Sequence, residues 1–501
     1  MTFEDALAAA RARPRDQRAL EELASEALKC GEEDAALPLI DAVVRAEPTA
    51  RLWQWKALLE RALDRHGDAL ASFEAATGLA PADAGIAHGL ARTALEAGLP
   101  AERHFERALE LAPGDGQVLV GLIAARLAGG QGARAEQELS RALERSPGWI
   151  EGHMQLAQLR SMLGAGRTAE SIERALAAAP RSTELWLALF DLHIKSEAFG
   201  ELEAAIAAAR KQGIAENLLD RFAALAAAEL GRTEEADRLF ARWTDGSERI
   251  WRLRHLLRSG RADEALPLID AELAGERASQ AWPYASIAWR LTNDARSQWL
   301  EGDDRLIRIF DLAQSLPPLD QLADCLRAIH VAKGSFIDQS VRGGTQTDGP
   351  LFSRIAPEIQ QLRAAVVAAV EQYVAGLPPI EPQHPLLGFR RDRPVRFAGS
   401  WSVRLRDSGY HVSHVHPQGW ISSALYVALP DADRAADPHA GWLALGAPPA
   451  SLVSSPLAAR FIEPKPGGLV LFPSWMWHGT VPFQAGERLT VAFDVAPPRR
   501  A

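Results

Sequence analysis

The sequence predicts a multidomain fold: an all-α solenoid of helical hairpins, then a β-sandwich or open barrel with helices on one face. Three observations carry this. Prolines recur at a near-constant interval, with Pro48, Pro81, Pro113, Pro147 and Pro180 standing 33, 32, 34 and 33 residues apart. Near residue 277 the alanine-rich helical texture gives way to a tryptophan-rich stretch. Beyond it, short apolar segments bounded by turn residues fill the C-terminal part of the chain. A length of 501 residues agrees, since single cores rarely grow past about 250–300 residues.

The first half is built from Ala, Leu, Glu and Arg at helical spacing, punctuated by Gly and Pro. Five residues before each of the last four periodic prolines stands an alanine: Ala76, Ala108, Ala142, Ala175. Eight before stands a large apolar residue, Phe73, Phe105, Leu139 or Ile172, and twelve before comes Ala69, Ala101, Ala135 or Thr168. Small residues let two helices approach, the larger one fills the gap, and proline stops the second helix. This pattern resembles the tetratricopeptide repeat, whose period is 34 residues. Trp53, Ala69, Phe73, Ala76 and Pro81 match that family's pattern, although its usual Leu-Gly pair is missing from that repeat. Degraded pairs continue through GRTEEADRLFARW and GRADEALPLIDAEL, so residues 1–275 read as the repeat domain.

Residues 276–300 read as a Trp-rich helical junction whose role is interdomain packing, and 301–501 as a second domain. Two helices are expected in the latter, around 318–333 and 353–376. After the PP and EPQHP punctuation come the strands FAGSWSVRL, GWISSALYVAL, GWLALGA, GGLVLF and RLTVAFDV. RGGTQTDG has glycines but no phosphate-loop lysine, and is expected to turn near the mouth of the site.

Composition narrows the function. A net charge of -10 argues against a general nucleic-acid binder, because little cationic surplus is available to displace phosphate counterions. No apolar run is long enough to span a membrane, and the first residues lack the apolar core of a signal peptide. A cytoplasmic protein is expected, with no membrane and no nucleic-acid partner. Cys30 and Cys325 lie far apart in helical patterns and are expected to be free thiols.

The candidate chemistry lies in HVSHVHPQGWISSALYV, which holds His411, His414 and His416. On a strand, alternate side chains share a face, so His414 and His416 can chelate one ion while His411 points away. His411 is then expected to be a structural residue, with lining the entrance or hydrogen-bonding a ligand as the alternative. A third ligand must come from elsewhere, and His478, just past the apolar strand GGLVLF, is placed to supply it. Ten residues on, Arg488 opens RLTVAFDV with Thr490 on its face, offering a guanidinium suited to gripping a carboxylate. Tyr426 shares the parity of Trp420 and Ser422 and is expected to pack in the core. His439 sits in a polar loop and is expected to be solvated.

With these residues in hand, the order H-x-[D/E/H], H, then R-x-[S/T] resembles the iron(II)/2-oxoglutarate-dependent oxygenase superfamily. The phrases HVHPQGWISSALYV, PGGLVLFPSWMWHGTVPF and RGGTQTDGPLF are similar to a bacterial branch that often carries tetratricopeptide repeats. The resemblance implies a double-stranded β-helix of the jelly-roll or cupin type, with flanking helices. It implies iron(II) on His414, His416 and His478, and 2-oxoglutarate as cosubstrate on Arg488, with Thr490 assisting. No catalytic residue beyond the metal ligands is implied. The activity would be that of a dioxygenase, a hydroxylase using molecular oxygen on a protein or peptide held by the repeats.

One departure matters: the usual carboxylate of the motif is His416, which leaves the ligand set neutral. Three readings stay open: a true three-histidine site, a two-histidine site with His416 behind the ligands, or a decayed site. The nearest carboxylates in sequence, Asp431, Asp433 and Asp437, are poorly placed to substitute. Two other functions also stay open. One is a non-catalytic repeat scaffold with a decayed oxygenase domain. The other is a three-histidine cupin-like dioxygenase that does not use 2-oxoglutarate, against which Arg488 argues.

Overall fold

In the computed structural model, the described residues are 1–243, 245–430, 437–453 and 457–498. Two compact units divide the chain: 1–139 with 348–364, and 140–347 with 365–501.

Consecutive helices run from Phe3–Ala12 to Ala262–Leu273. The proline period has a local cause. Helices end at Leu79, Leu111 and Ala178, two residues before Pro81, Pro113 and Pro180. Two residues after each proline comes an N-cap, Asp83, Asp115 or Ser182, whose side chain accepts a backbone N–H of the next helix. The periodic small and large residues are the core: Ala69, Phe73, Ala76, Ala101, Phe105, Ala108, Ala135, Leu139, Ala142, Ile172 and Ala175 are all buried. Glycine completes the fit at two equivalent places. A Cβ on Gly89 would lie 2.4 Å from the Phe73 ring, and one on Gly121 would lie 2.1 Å from Phe105.

The β-domain has nine strands among the described residues: β1 (Arg308–Asp311), β2 (Val341–Gln346), β3 (Phe397–His411), β4 (Ile421–Ala428), β5 (Leu443–Leu445), β6 (Arg460–Ile462), β7 (Gly468–Pro473), β8 (His478–Thr480) and β9 (Glu487–Val495). They form an antiparallel six-stranded sheet, β1-β7-β4-β9-β3-β2, and a three-stranded sheet, β6-β5-β8. Ala424 and Tyr426 of β4 and Val470 and Phe472 of β7 share one buried cluster with Leu443, Leu445 and Ile462 of the smaller sheet. The two sheets therefore close on a common core, the double-stranded β-helix. The five segments read as strands from sequence lie on β3, β4, β5, β7 and β9, and the expected helices form at Leu319–Ala328 and Pro357–Ala375.

RGGTQTDG departs from its expected turn. Its first five residues belong to β2, an edge strand paired with β3, and the register shift between Arg342 and Gly344 accommodates Gly343 at φ 68°. The Trp-rich helix Ala278–Leu291 packs on the β-domain within the second unit. Trp477 donates to the Pro283 carbonyl at 3.0 Å, and Arg290 donates to the Ala458 carbonyl at 2.7 Å. Cys30 and Cys325 form no disulfide, and among the described residues no helix is long and apolar enough to cross a membrane.

Candidate metal centre

Strand β3 ends at His411, so His414 and His416 sit on the loop leading to β4. Backbone pairing fixes them all the same. His414 and His478 exchange N–H···O bonds of 2.9 and 3.0 Å, and the His416 N–H donates to the Ser474 carbonyl at 2.9 Å. This ties the loop to the chain between β7 and β8. Ring centroids lie 4.2 Å apart for His414 and His478, and 5.0 Å from His416 to each of the others. One nitrogen from each ring falls within 4.8 Å of the others, the span of a shared metal ion.

Hydrogen bonding sets the orientation of each ring. His414 Nδ1 donates to the Val412 carbonyl at 2.8 Å, His478 Nδ1 to the Met476 carbonyl at 2.9 Å, and His416 Nδ1 to Asp494 Oδ2 at 2.5 Å. With every Nδ1 proton committed to an acceptor, each Nε2 keeps its lone pair for a metal. Burial, with His416 beside it, holds His414 down to about 3, and burial with the neighbouring rings holds His478 well below its ordinary value. Both are neutral at pH 7, the metal-binding form. Three imidazoles oriented this way fit a divalent first-row ion with open positions.

His411 corrects the parity argument. Alternation holds only inside a strand, and the strand stops at this residue. Its ring stacks on His414 at 5.7 Å and lines the same cavity. Ser340 Oγ bridges the two, 3.0 Å from His411 Nδ1 and 3.2 Å from His414 Nε2. His411 remains outside the group of three that could share an ion.

Asp494 was invisible to a search for carboxylates near the histidines in sequence. Yet it lies in RLTVAFDV at the parity of Arg488 and Thr490, which was the available signal. Ser422 donates to its Oδ1 at 2.5 Å. Of the carboxylates considered from sequence, Asp437 accepts from the His439 backbone N–H, while Asp431 and Asp433 fall outside the described residues. His439 does more than meet solvent, stacking on Phe461 at 4.2 Å.

Arg488 and Thr490 line the same cavity as the histidines, with Trp401 and Thr480. Arg488 is buried, 2% exposed, and pairs with no carboxylate among the described residues; its Nε has no hydrogen-bond partner. Its guanidinium lies 5.2 Å over the ring of Tyr426, which is also part of the core between the sheets. Burial pulls Arg488 down from its ordinary value, with Tyr426 opposing. Such an unpaired cation in a closed site is costly unless an anion joins it. A carboxylate ligand would meet that need.

Residues 399–494 match the family described as "Putative 2OG-Fe(II) oxygenase", and 101–159 match a tetratricopeptide repeat family. The chain thus carries tetratricopeptide repeats and a C-terminal 2OG-Fe(II) oxygenase-type domain. No curated protein matches it. Among solved structures, it is similar to a Pseudomonas putida prolyl-4-hydroxylase, at 18% identity over 39% of this chain and 94% of that one, TM-score 0.25. It is also similar to YrrB, a TPR protein with an unusual peptide-binding site, at 16% identity over 38% of this chain and 97% of that one, TM-score 0.29.

Proposed function

We propose that the β-domain is an iron(II)- and 2-oxoglutarate-dependent dioxygenase, a hydroxylase acting on a protein or peptide held by the repeats. The observation that carries this reading is the meeting, in one cavity, of three convergent histidines and a buried arginine lacking an anion. His414, His416 and His478 hold the metal. Arg488 binds the far carboxylate of 2-oxoglutarate, and Thr490 lies beside it. Iron held by these residues would supply the oxidising chemistry that couples conversion of 2-oxoglutarate to succinate and CO2 with entry of one oxygen atom of O2 into a substrate C–H bond. The protein's residues do the positioning. Trp401 lies against His416 at 5.5 Å, and the apolar side chains Val403, Leu443 and Phe493 keep bulk water from the cavity.

A peptide or protein substrate follows from the repeats, which in general offer extended surfaces to chains. A chain whose two cysteines form no disulfide suits the reducing cytoplasm. The reading is tested by succinate release from the iron-loaded chain given 2-oxoglutarate and O2. The wild type should release succinate, and His414→Ala and His478→Ala should each abolish it. Release undiminished in both variants would refute the ligand assignment. No release under any condition, with no iron bound, would favour a repeat scaffold.

A further inference from the structure

Among the three histidines, His416 alone is backed by a charge. Val412 and Met476 offer neutral carbonyls to His414 and His478, whereas His416 Nδ1 meets a carboxylate oxygen at 2.5 Å. It is also the residue standing where the oxygenase motif usually has a carboxylate ligand. We propose that Asp494 is a positioning residue that returns this missing charge to the site through the His416 ring. The inference rests on the metal-site reading above and deepens it.

A carboxylate accepting an imidazole N–H in a poorly solvated place forms a strong, charge-assisted bond. It fixes the tautomer with Nε2 free and raises the electron density there, making His416 a better donor to a cation. Negative charge then sits one ring away from the metal position instead of touching it. The site recovers the anionic balance of a two-histidine, one-carboxylate set while presenting only nitrogens.

The surroundings hold Asp494 to this task. Ser422 donates to its second oxygen at 2.5 Å, and Ser422 and Ser474 lie 3.0 Å apart through their hydroxyls. The Ser474 carbonyl in turn receives the His416 backbone N–H. Gly419 is needed for the fit, since a Cβ there would lie 2.6 Å from Ser474 Oγ and 3.2 Å from Asp494 Cβ. On its other side His416 meets the indole of Trp401, inclined by 29°. The ring is thus gripped through its backbone, one face and its Nδ1, and the carboxylate is gripped through both oxygens.

A structural rival is simple: Ser422 and Asp494 are register partners between β4 and β9, so Asp494 could merely tie strands together. The test must separate the two roles. Iron(II) and cobalt(II) are titrated anaerobically into the full chain, wild type and Asp494→Asn, and the iron midpoint potential and metal-free melting temperature are measured. Asp494→Asn should weaken metal binding about 10–100-fold and raise the potential, with metal-free melting nearly unchanged. Ser422→Ala, which frees one carboxylate oxygen, should move both readings the same way by a smaller factor, and it carries the test if Asp494→Asn fails to fold. Unchanged affinity and potential in a folded variant would overturn the proposal. So would a drop in melting temperature alone, which is the strand-tie result. A wild type that binds neither metal would overturn the metal reading, and this inference with it.

Discussion

Arg126 of the repeats and Arg488 of the β-domain are withdrawn from water to the same degree, 3% and 2% exposed. Their company differs completely. Arg126 donates to Glu102 at 3.0 Å and to Glu106 at 3.2 Å, and also contacts Glu138. Arg488 has an aromatic ring beside it and, among the described residues, no carboxylate paired with it. A buried guanidinium with three anions contributes to a fold, while one with none is a cost the fold carries for something else. The same residue type therefore marks structure in one unit and, on the proposed reading, a binding site in the other.

The contrast can be broken by swapping each arginine for methionine, which keeps length and removes charge. Arg488→Met should show the largest effect, lowering 2-oxoglutarate affinity by more than about 100-fold by loss of a buried charge pair. Its metal affinity should hold, and its metal-free stability should stay level or rise. Binding calorimetry beside urea unfolding reads all three. Arg126→Met should do the reverse. It removes the buried partner shared by three carboxylates and should cost about 3 kcal/mol, the low end for a broken buried pair because Glu102 keeps Arg134 at 2.9 Å and the carboxylates partly reach water. Cosubstrate affinity should not change. If both variants lose stability alike, the distinction fails.

Much of this was legible in the sequence, and the residues that escaped share a cause. The proline interval gave the hairpins because proline, the following cap and the small core residues are all local in the chain. His414, His416, His478, Arg488 and Thr490 could be singled out because motif spacing survives whatever the loops do, and the fold brings all five to one cavity. His411 was misread because alternation was extended past the end of β3. Strand β2 was missed because its two glycines have poor strand propensity, and only pairing with β3 makes it extended. Asp494 went unnoticed because its partner His416 lies 78 residues away, a distance that no local pattern spans.

The smallest expected effect sharpens the same theme of buried groups without charge partners. Burial, with Arg404 nearby, holds His330 down to about 4, while its ring bridges Thr345 and Ser402. The unfolded chain takes up a proton near pH 6.5 that the folded chain refuses. Stability from this group is therefore full above pH 6.5 and drains away as pH falls toward 4. The depressed values of His414 and His478 act with the same sign. Urea midpoints at pH 7 and pH 5 should differ in that direction, and His330→Gln should narrow the gap.

The central claim is that one cavity joins a histidine metal centre to an arginine awaiting a carboxylate. Anaerobic titration of the iron(II)-loaded chain with 2-oxoglutarate tests it most directly. The expected result is the weak visible charge-transfer band of the chelate, saturating in the wild type and absent from Arg488→Met at the same concentrations. Bound iron with no band in the wild type, at any 2-oxoglutarate concentration, would contradict it.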